Sequence, residues 1–178
     1  MPKVPFLTKP HMTSAAFAAN PIDIIAQDHT LQEDLCDLLE RIADSLPSSV
    51  DRGIAENVLG YLDNDLAVHI RDEEEGLFPL LEAHAATHQA IPGILERLTD
   101  EHAIDAFYAE EVCEELRMLA SGREPHNANS LGYLLRGFFE TQRRHLAWEN
   151  MTILPLARQL LTPADLGQLS KQLALHRR

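Results

Sequence analysis

The chain has 178 residues, 15 Lys and Arg against 28 Asp and Glu, and a formal net charge of −13 at pH 7. That length suits one compact domain with a sizeable core, and 45% hydrophobic with 24% charged residues excludes wholesale disorder and collagen-like repeats. The acidic balance argues against nucleic-acid binding, because no basic stripe is present to release counterions from a phosphate backbone.

Residues 1–19 read as a flexible tail: the apolar run is broken by Pro5, Thr8, Lys9, Pro10 and His11, which does not suit a signal peptide. From Asn20 onward the pattern is helical, and no stretch alternates as a half-buried strand would. Helix A opens at Asn20-Pro21, a capping residue followed by proline at the first position, and stops at Pro47. Its inward stripe is Ile22, Ile25, His29, Cys36, Leu39 and Ala43. Helix B starts near Asp51 and carries Ile54, Val58, Leu62, Leu66, His69, Glu73, Leu77 and Leu80. Helix C follows Pro92 with Ile94, Leu95, Leu98, His102, Ala106, Ala109, Cys113 and Leu116, and ends at Ser121-Gly122. Helix D follows a polar loop with Leu131, Leu134, Leu135, Phe138, His145, Glu149, Thr152, Ile153 and Leu156.

A short fifth helix begins at Thr162-Pro163-Ala164-Asp165, where a threonine cap, a proline and an acid three residues on agree with one another. The expectation is an all-α, up-down-up-down four-helix bundle over residues 20–161, with a short C-terminal helix over 162–178. No window reaches the roughly 18 consecutive apolar residues of a membrane-spanning helix, so the protein is expected to be soluble. Two cysteines, Cys36 and Cys113, without a Cys-x-x-Cys spacing, make the cytoplasm the default location.

The second half of the chain repeats the first. Asp28-His29 recurs 73 residues later as Glu101-His102, and His69-x-x-x-Glu73 recurs 76 residues later as His145-x-x-x-Glu149. Each of the latter motifs has a proline ten residues after its histidine, Pro79 and Pro155. A spacing of four places histidine and glutamate on one helix face, about 6 Å apart at their β-carbons. His29 lies 17 residues before Leu46 and His69 lies 18 after Asp51, so both sit about 26 Å from the first turn at 1.5 Å rise per residue. The second hairpin gives the same height for His102 and His145. Four histidines and two glutamates should meet in one layer, which would be costly to bury unless something compensates the charge.

A metal supplies that compensation. Imidazole and carboxylate suit non-haem iron, manganese or zinc, and the lack of cysteine in the layer argues against copper(I) or iron–sulfur chemistry. Two ions fit better than one, because six protein ligands would saturate a single octahedral ion and give the glutamates no bridging role. Glu33, which forms a third His-x-x-x-Glu with His29, and Glu74 are additional candidate ligands, or else members of a solvated face or supports of the ligands. His84 and His88 offer a rival His-x-x-x-His pair, but they follow Pro79 in the exit of helix B, away from the layer. Asp28 and Glu101 read as surface charges or inter-helix partners. Pro79 and Pro155 are expected to kink or end their helices about 15 Å beyond the site. Ala106 and Ala109 leave room for a pocket that Trp148 could wall, and Tyr61, Tyr108 and Tyr133 are candidate donors to a bound ligand.

On His29, His69-Ile70-Arg71-Asp72-Glu73-Glu74, Pro79, Glu101-His102, His145-Leu146-Ala147-Trp148-Glu149 and Pro155, the sequence resembles the hemerythrin-like (HHE) cation-binding domains over roughly residues 21–161. The resemblance implies an oxo- or hydroxo-bridged di-iron centre, with Glu73 and Glu149 bridging and His29, His69, His102 and His145 as terminal ligands. It departs from the oxygen-carrying members, whose third helix has His-x-x-x-His; here Ala106 follows His102 at that spacing. The pattern is closer to four-histidine, two-glutamate members, which include iron-centre repair proteins of nitrosative stress and an iron-sensing domain. Such a site leaves two positions for exogenous ligands where a five-histidine carrier leaves one. The implied function is binding, sensing or reacting with O2, NO or peroxide; the alternatives are an iron- or oxygen-responsive regulatory module without turnover, an iron-centre repair protein, or a metal-free interaction bundle. No protein partner is named by these residues.

Overall fold

The computed structural model describes residue 7 and residues 20–178, and among them every regular element is a helix. The remainder of the expected tail over 1–19 lies outside the described residues. Leu7 itself is buried, and its N–H donates to Asn57 Oδ1 at 3.1 Å.

α1 (Pro21–Ser45) starts as expected, with the Asn20 side chain accepting from the Ile22 N–H at 3.0 Å. α2 (Arg52–Arg71) is capped by Asp51, whose Oδ1 accepts from the Gly53 N–H at 2.8 Å. It runs into a π-helical segment, Asp72–Leu77, and then α3 (Phe78–Glu82). α4 (Ile91–Ala120) ends at Gly122, whose φ of 75° favours a residue without a side chain. α5 (Ala128–Met151) is capped by Asn127 and gives way after Thr152 to α6 (Ile153–Leu160). α7 (Pro163–His176) carries the full capping box, with the Thr162 N–H donating to Asp165 Oδ2 at 2.9 Å and the Asp165 N–H to Thr162 Oγ1 at 3.3 Å.

The prolines act closer to the site than the sequence reading placed them. A proline ring clashes with the carbonyl four residues earlier and removes a donor, so Pro79 perturbs the turn at Glu75 and Pro155 the turn at Met151. The first distortion is the π-helical segment, in which the Phe78 N–H reaches back five residues to the Glu73 carbonyl. The second is the break at Thr152, φ −122° and ψ −59°. Helices B and D are therefore each divided beside their glutamate, not 15 Å beyond it.

α1 packs against α5 and α2 against α4, while α1 with α2 and α4 with α5 complete the ring of an up-down-up-down bundle. The apolar interior is in two parts. One, around Leu35, Leu39, Val58, Leu116, Leu135 and Phe138, fills the end at the α1–α2 turn. The other, around Ile25, Leu77, Leu81, Leu98, Ile153 and Leu169, fills the opposite end and includes α7. Between them lies a buried polar layer: His29, Gln32, His69, Glu73, His102, Asp105, Gln142, His145 and Glu149. No helix among the described residues is long and apolar enough to cross a membrane.

Candidate metal centre

Each helix of the ring brings a histidine into the layer, and the two that follow the turns add the glutamate one turn on. All six residues are buried, with Glu73 and Glu149 at 0% exposure. The four imidazoles point Nε2 inward. His29 Nε2 is 3.4 Å from both Glu73 Oε1 and Glu149 Oε2, His69 Nε2 is 3.5 Å from Glu73 Oε2, His102 Nε2 is 3.3 Å from Glu73 Oε2, and His145 Nε2 is 3.3 Å from Glu149 Oε2. Two groups result, His29, His69, Glu73 and Glu149, and Glu73, His102, His145 and Glu149, each offering ligand atoms within 4.8 Å of one another that could hold a metal ion. Both glutamates belong to both groups.

The outward Nδ1 atoms face a matching set of acceptors. Asn150 Oδ1 lies 2.8 Å from His29, Glu74 Oε1 2.9 Å from His102, Glu101 Oε2 3.0 Å from His145, and Asp28 Oδ2 3.7 Å from His69. The first three are hydrogen-bond distances, and such partners fix the Nε2 lone pair toward the centre and raise its basicity; Asp28 stands at ion-pair distance, and His69 Nδ1 makes no hydrogen bond. The repeat is present here too: the acid preceding a histidine on α1 or α4 serves the histidine of the following helix, and the residue after each glutamate serves a histidine of the other hairpin. Asp28 and Glu101 are thus inter-helix partners, Asp28 buried and Glu101 partly exposed.

Glu74 stands behind His102 and outside both groups, and Glu33 is exposed on α1 and in neither. His84 meets Asp165 at 3.5 Å and His88 meets Thr87 at 3.0 Å, both away from the layer. Asn150, Asp105, Gln32 and Gln142 escaped the sequence reading, although the repeat offsets link Glu74 to Asn150 and Gln32 to Asp105. Ala106 is exposed; the buried position one turn from His102 is Asp105. Ala106 and Ala109 do line a groove of about 470 Å³ between α2 and α4, floored by Leu62, Leu66 and Ile70. Leu66 and Ile70 also line a smaller void against His69, His102, Asp105 and Gln142. Trp148 is not at that groove: it packs on the α7 end of the core under Arg97, 5.5 Å from its ring centre. Tyr108 and Tyr133 are exposed, and Tyr61 is buried in the core with a hydroxyl that makes no hydrogen bond.

The electrostatics of the metal-free layer depend on protons. Burial pushes the His29 imidazole down, but the hydrogen bond and charge of Glu73 with the charge of Glu149 carry it up to about 9. For His145 the same opposition, with Glu149 and Glu101 overriding burial, also gives about 9. Burial favours a neutral Glu73, yet the His69 charge with the adjacent His102 and His29 imidazoles holds its carboxyl well below the usual range. Burial lifts Asp105 to about 6. Cys36 and Cys113 are free, buried thiols pushed up to about 12 by burial.

Even with these contacts, His69 Nε2, His102 Nε2, Glu73 Oε2 and both Glu149 carboxylate oxygens make no hydrogen bond. Buried atoms of this kind are costly to leave unpaired, and these five belong to the two groups. Hard carboxylate and borderline imidazole donors fit a first-row divalent metal. A helical bundle with a buried layer of four histidines and two shared glutamates is the framework of a cation-binding domain. The hemerythrin HHE cation binding domain model matches residues 20–157, and the chain belongs to that family. No curated protein and no solved structure matches it.

Proposed function

We propose that the chain is a non-haem di-iron protein that binds, senses or reacts with O2, NO or peroxide. His29 and His69 would hold one iron, His102 and His145 the other, and Glu73 with Glu149 would bridge them. The observation that carries this reading is the sharing of both glutamates by the two groups: a carboxylate that lies against imidazoles of both sets suits a pair of ions. Zinc or manganese would accept the same donors, and the family match favours iron.

Bound iron would supply redox chemistry and coordination positions left open by six protein ligands. The chain's own residues do the rest. Asn150, Glu74 and Glu101 orient His29, His102 and His145 by hydrogen bonds, Asp28 places its charge beside His69, and the two apolar cores exclude water from above and below. The groove between α2 and α4 and the small void beside His69, His102 and His145 share Leu66 and Ile70 in their walls. Asp105, Gln32 and Gln142 line that void with hydrogen-bonding groups. The buried thiols suit a reducing, cytoplasmic setting.

The test is rapid mixing of ferrous protein with O2, hydrogen peroxide or NO, followed by absorption. A spectral change that saturates with one of these supports the reading; iron-loaded protein inert to all three contradicts it.

A further inference from the structure

Asp28 and Glu101 occupy equivalent places in the repeat, and each is held by an arginine, but the arginines differ in origin. Glu101 takes Arg97 from its own helix, Nε to Oε1 2.8 Å, and that arginine is 64% exposed. Asp28 takes Arg177, at the end of α7, with a side chain only 6% exposed. The Arg177 guanidinium donates to both Asp28 oxygens and, through Nε, to Asp72 Oδ2 at 2.7 Å. His176 Nδ1 lies 2.8 Å from Asp72 Oδ1 on the other side.

These contacts converge on the first-side ligands. Asp28 is the carboxylate behind His69. Asp72 is fully buried and opens the π-helical segment immediately before Glu73. The same segment receives the apolar face of α7 at Gly76, where a Cβ would stand 3.1 Å from Leu169 Cδ1 and 3.7 Å from Leu173 Cδ1. The missing side chain gives α7 a close fit on the segment, and Arg177 at its end reaches both carboxylates. A buried guanidinium between two buried carboxylates is strongly coupled, because removing it strands both charges.

We propose that α7 is a latch on the metal centre, with Arg177 the positioning residue that, through Asp28 and Asp72, holds His69 and Glu73 in place and so retains the ion of the His29/His69 group. The inference rests on the two-metal reading of the layer. The other group depends on α7 only through the shared Glu73: the acceptor behind His145 is held from within α4. The two ions therefore differ in how firmly they are kept, and α7 sets the difference.

The test is anaerobic release of ferrous iron to a colorimetric chelator from the full chain and from Arg177→Gln, Arg177→Lys and Arg158→Gln. Arg158 pairs with Asp23 on the surface and is the control. Arg177→Gln should release one of two equivalents about tenfold or more faster, in line with the effect of losing a partner behind a ligand, and accelerate the second less, because that ion shares only Glu73 with the latched side. Arg177→Lys, which keeps the charge but lacks the fork, should fall between. In the metal-free proteins, hydrogen exchange should quicken over residues 69–77 and 163–176 in the Arg177 variants, with α4 and α5 unchanged. If Arg177→Gln does not fold, Arg177→Lys decides by the same readings. Wild-type release and exchange in the folded Arg177 variant would overturn the latch, as would equal acceleration of both equivalents. A wild-type chain that takes up no metal would instead overturn the two-metal reading, and the latch with it.

Discussion

At the scale of single residues, the site is a set of buried ionisable groups whose neighbours repeat between the two hairpins. Because Glu73 and Glu149 belong to both groups and each histidine to one, substitutions should separate by stoichiometry. His102→Ala should reduce binding to a single ion, and Glu73→Ala should weaken both, as read by metal analysis after desalting. The protons that balance the metal-free layer make a second prediction. His29 and His145 titrate near 9 when folded against about 6.5 when unfolded. A raised folded value stabilises fully below the unfolded one and is lost as pH rises through the folded one. Metal-free protein should therefore melt at a lower temperature at pH 9.5 than at pH 6. Metal uptake has the opposite sign, because binding must displace those protons: affinity should rise over the same interval, measured by competition with a chelator of known pH dependence.

At the scale of elements, the helix starts were legible because capping is local. Asn20-Pro21, Asp51 and Thr162-Pro163-Ala164-Asp165 all act as their chemistry dictates. Thr162→Ala should cost about 1 kcal/mol, measurable by urea denaturation, and the loss should be felt in α7. The six layer residues were legible for a related reason: period and repeat place them, and their cost demands a common purpose. The π-helical segment was not legible, since it arises from a proline whose clash falls four residues upstream, beside Glu73 and not at Pro79. The role of α7 was hidden as well. Nothing in the spacing of Arg177 ties it to Asp28, 149 residues away, and the packing of α7 on α1 and on the π-helical segment brings them together. Ala106 was misplaced by one position, for a helix of 3.6 residues per turn sends either the third or the fourth residue inward, and Asp105 is the one buried.

At the scale of the whole molecule, a polar layer divides the core into two apolar halves. Each half holds its end of the bundle by packing; Leu35→Ala in one or Leu98→Ala in the other, both fully buried, should cost about 2–5 kcal/mol. The layer contributes through what it binds, since an ion that prefers the folded state stabilises it by mass action. Metal analysis of freshly purified protein, with an absorption spectrum of the same sample, decides whether the layer holds a pair of ions. Two irons per chain are expected, one for each group, with near-ultraviolet absorption from the iron centre. A folded chain that holds no metal and refuses iron when it is offered would contradict the two-metal reading.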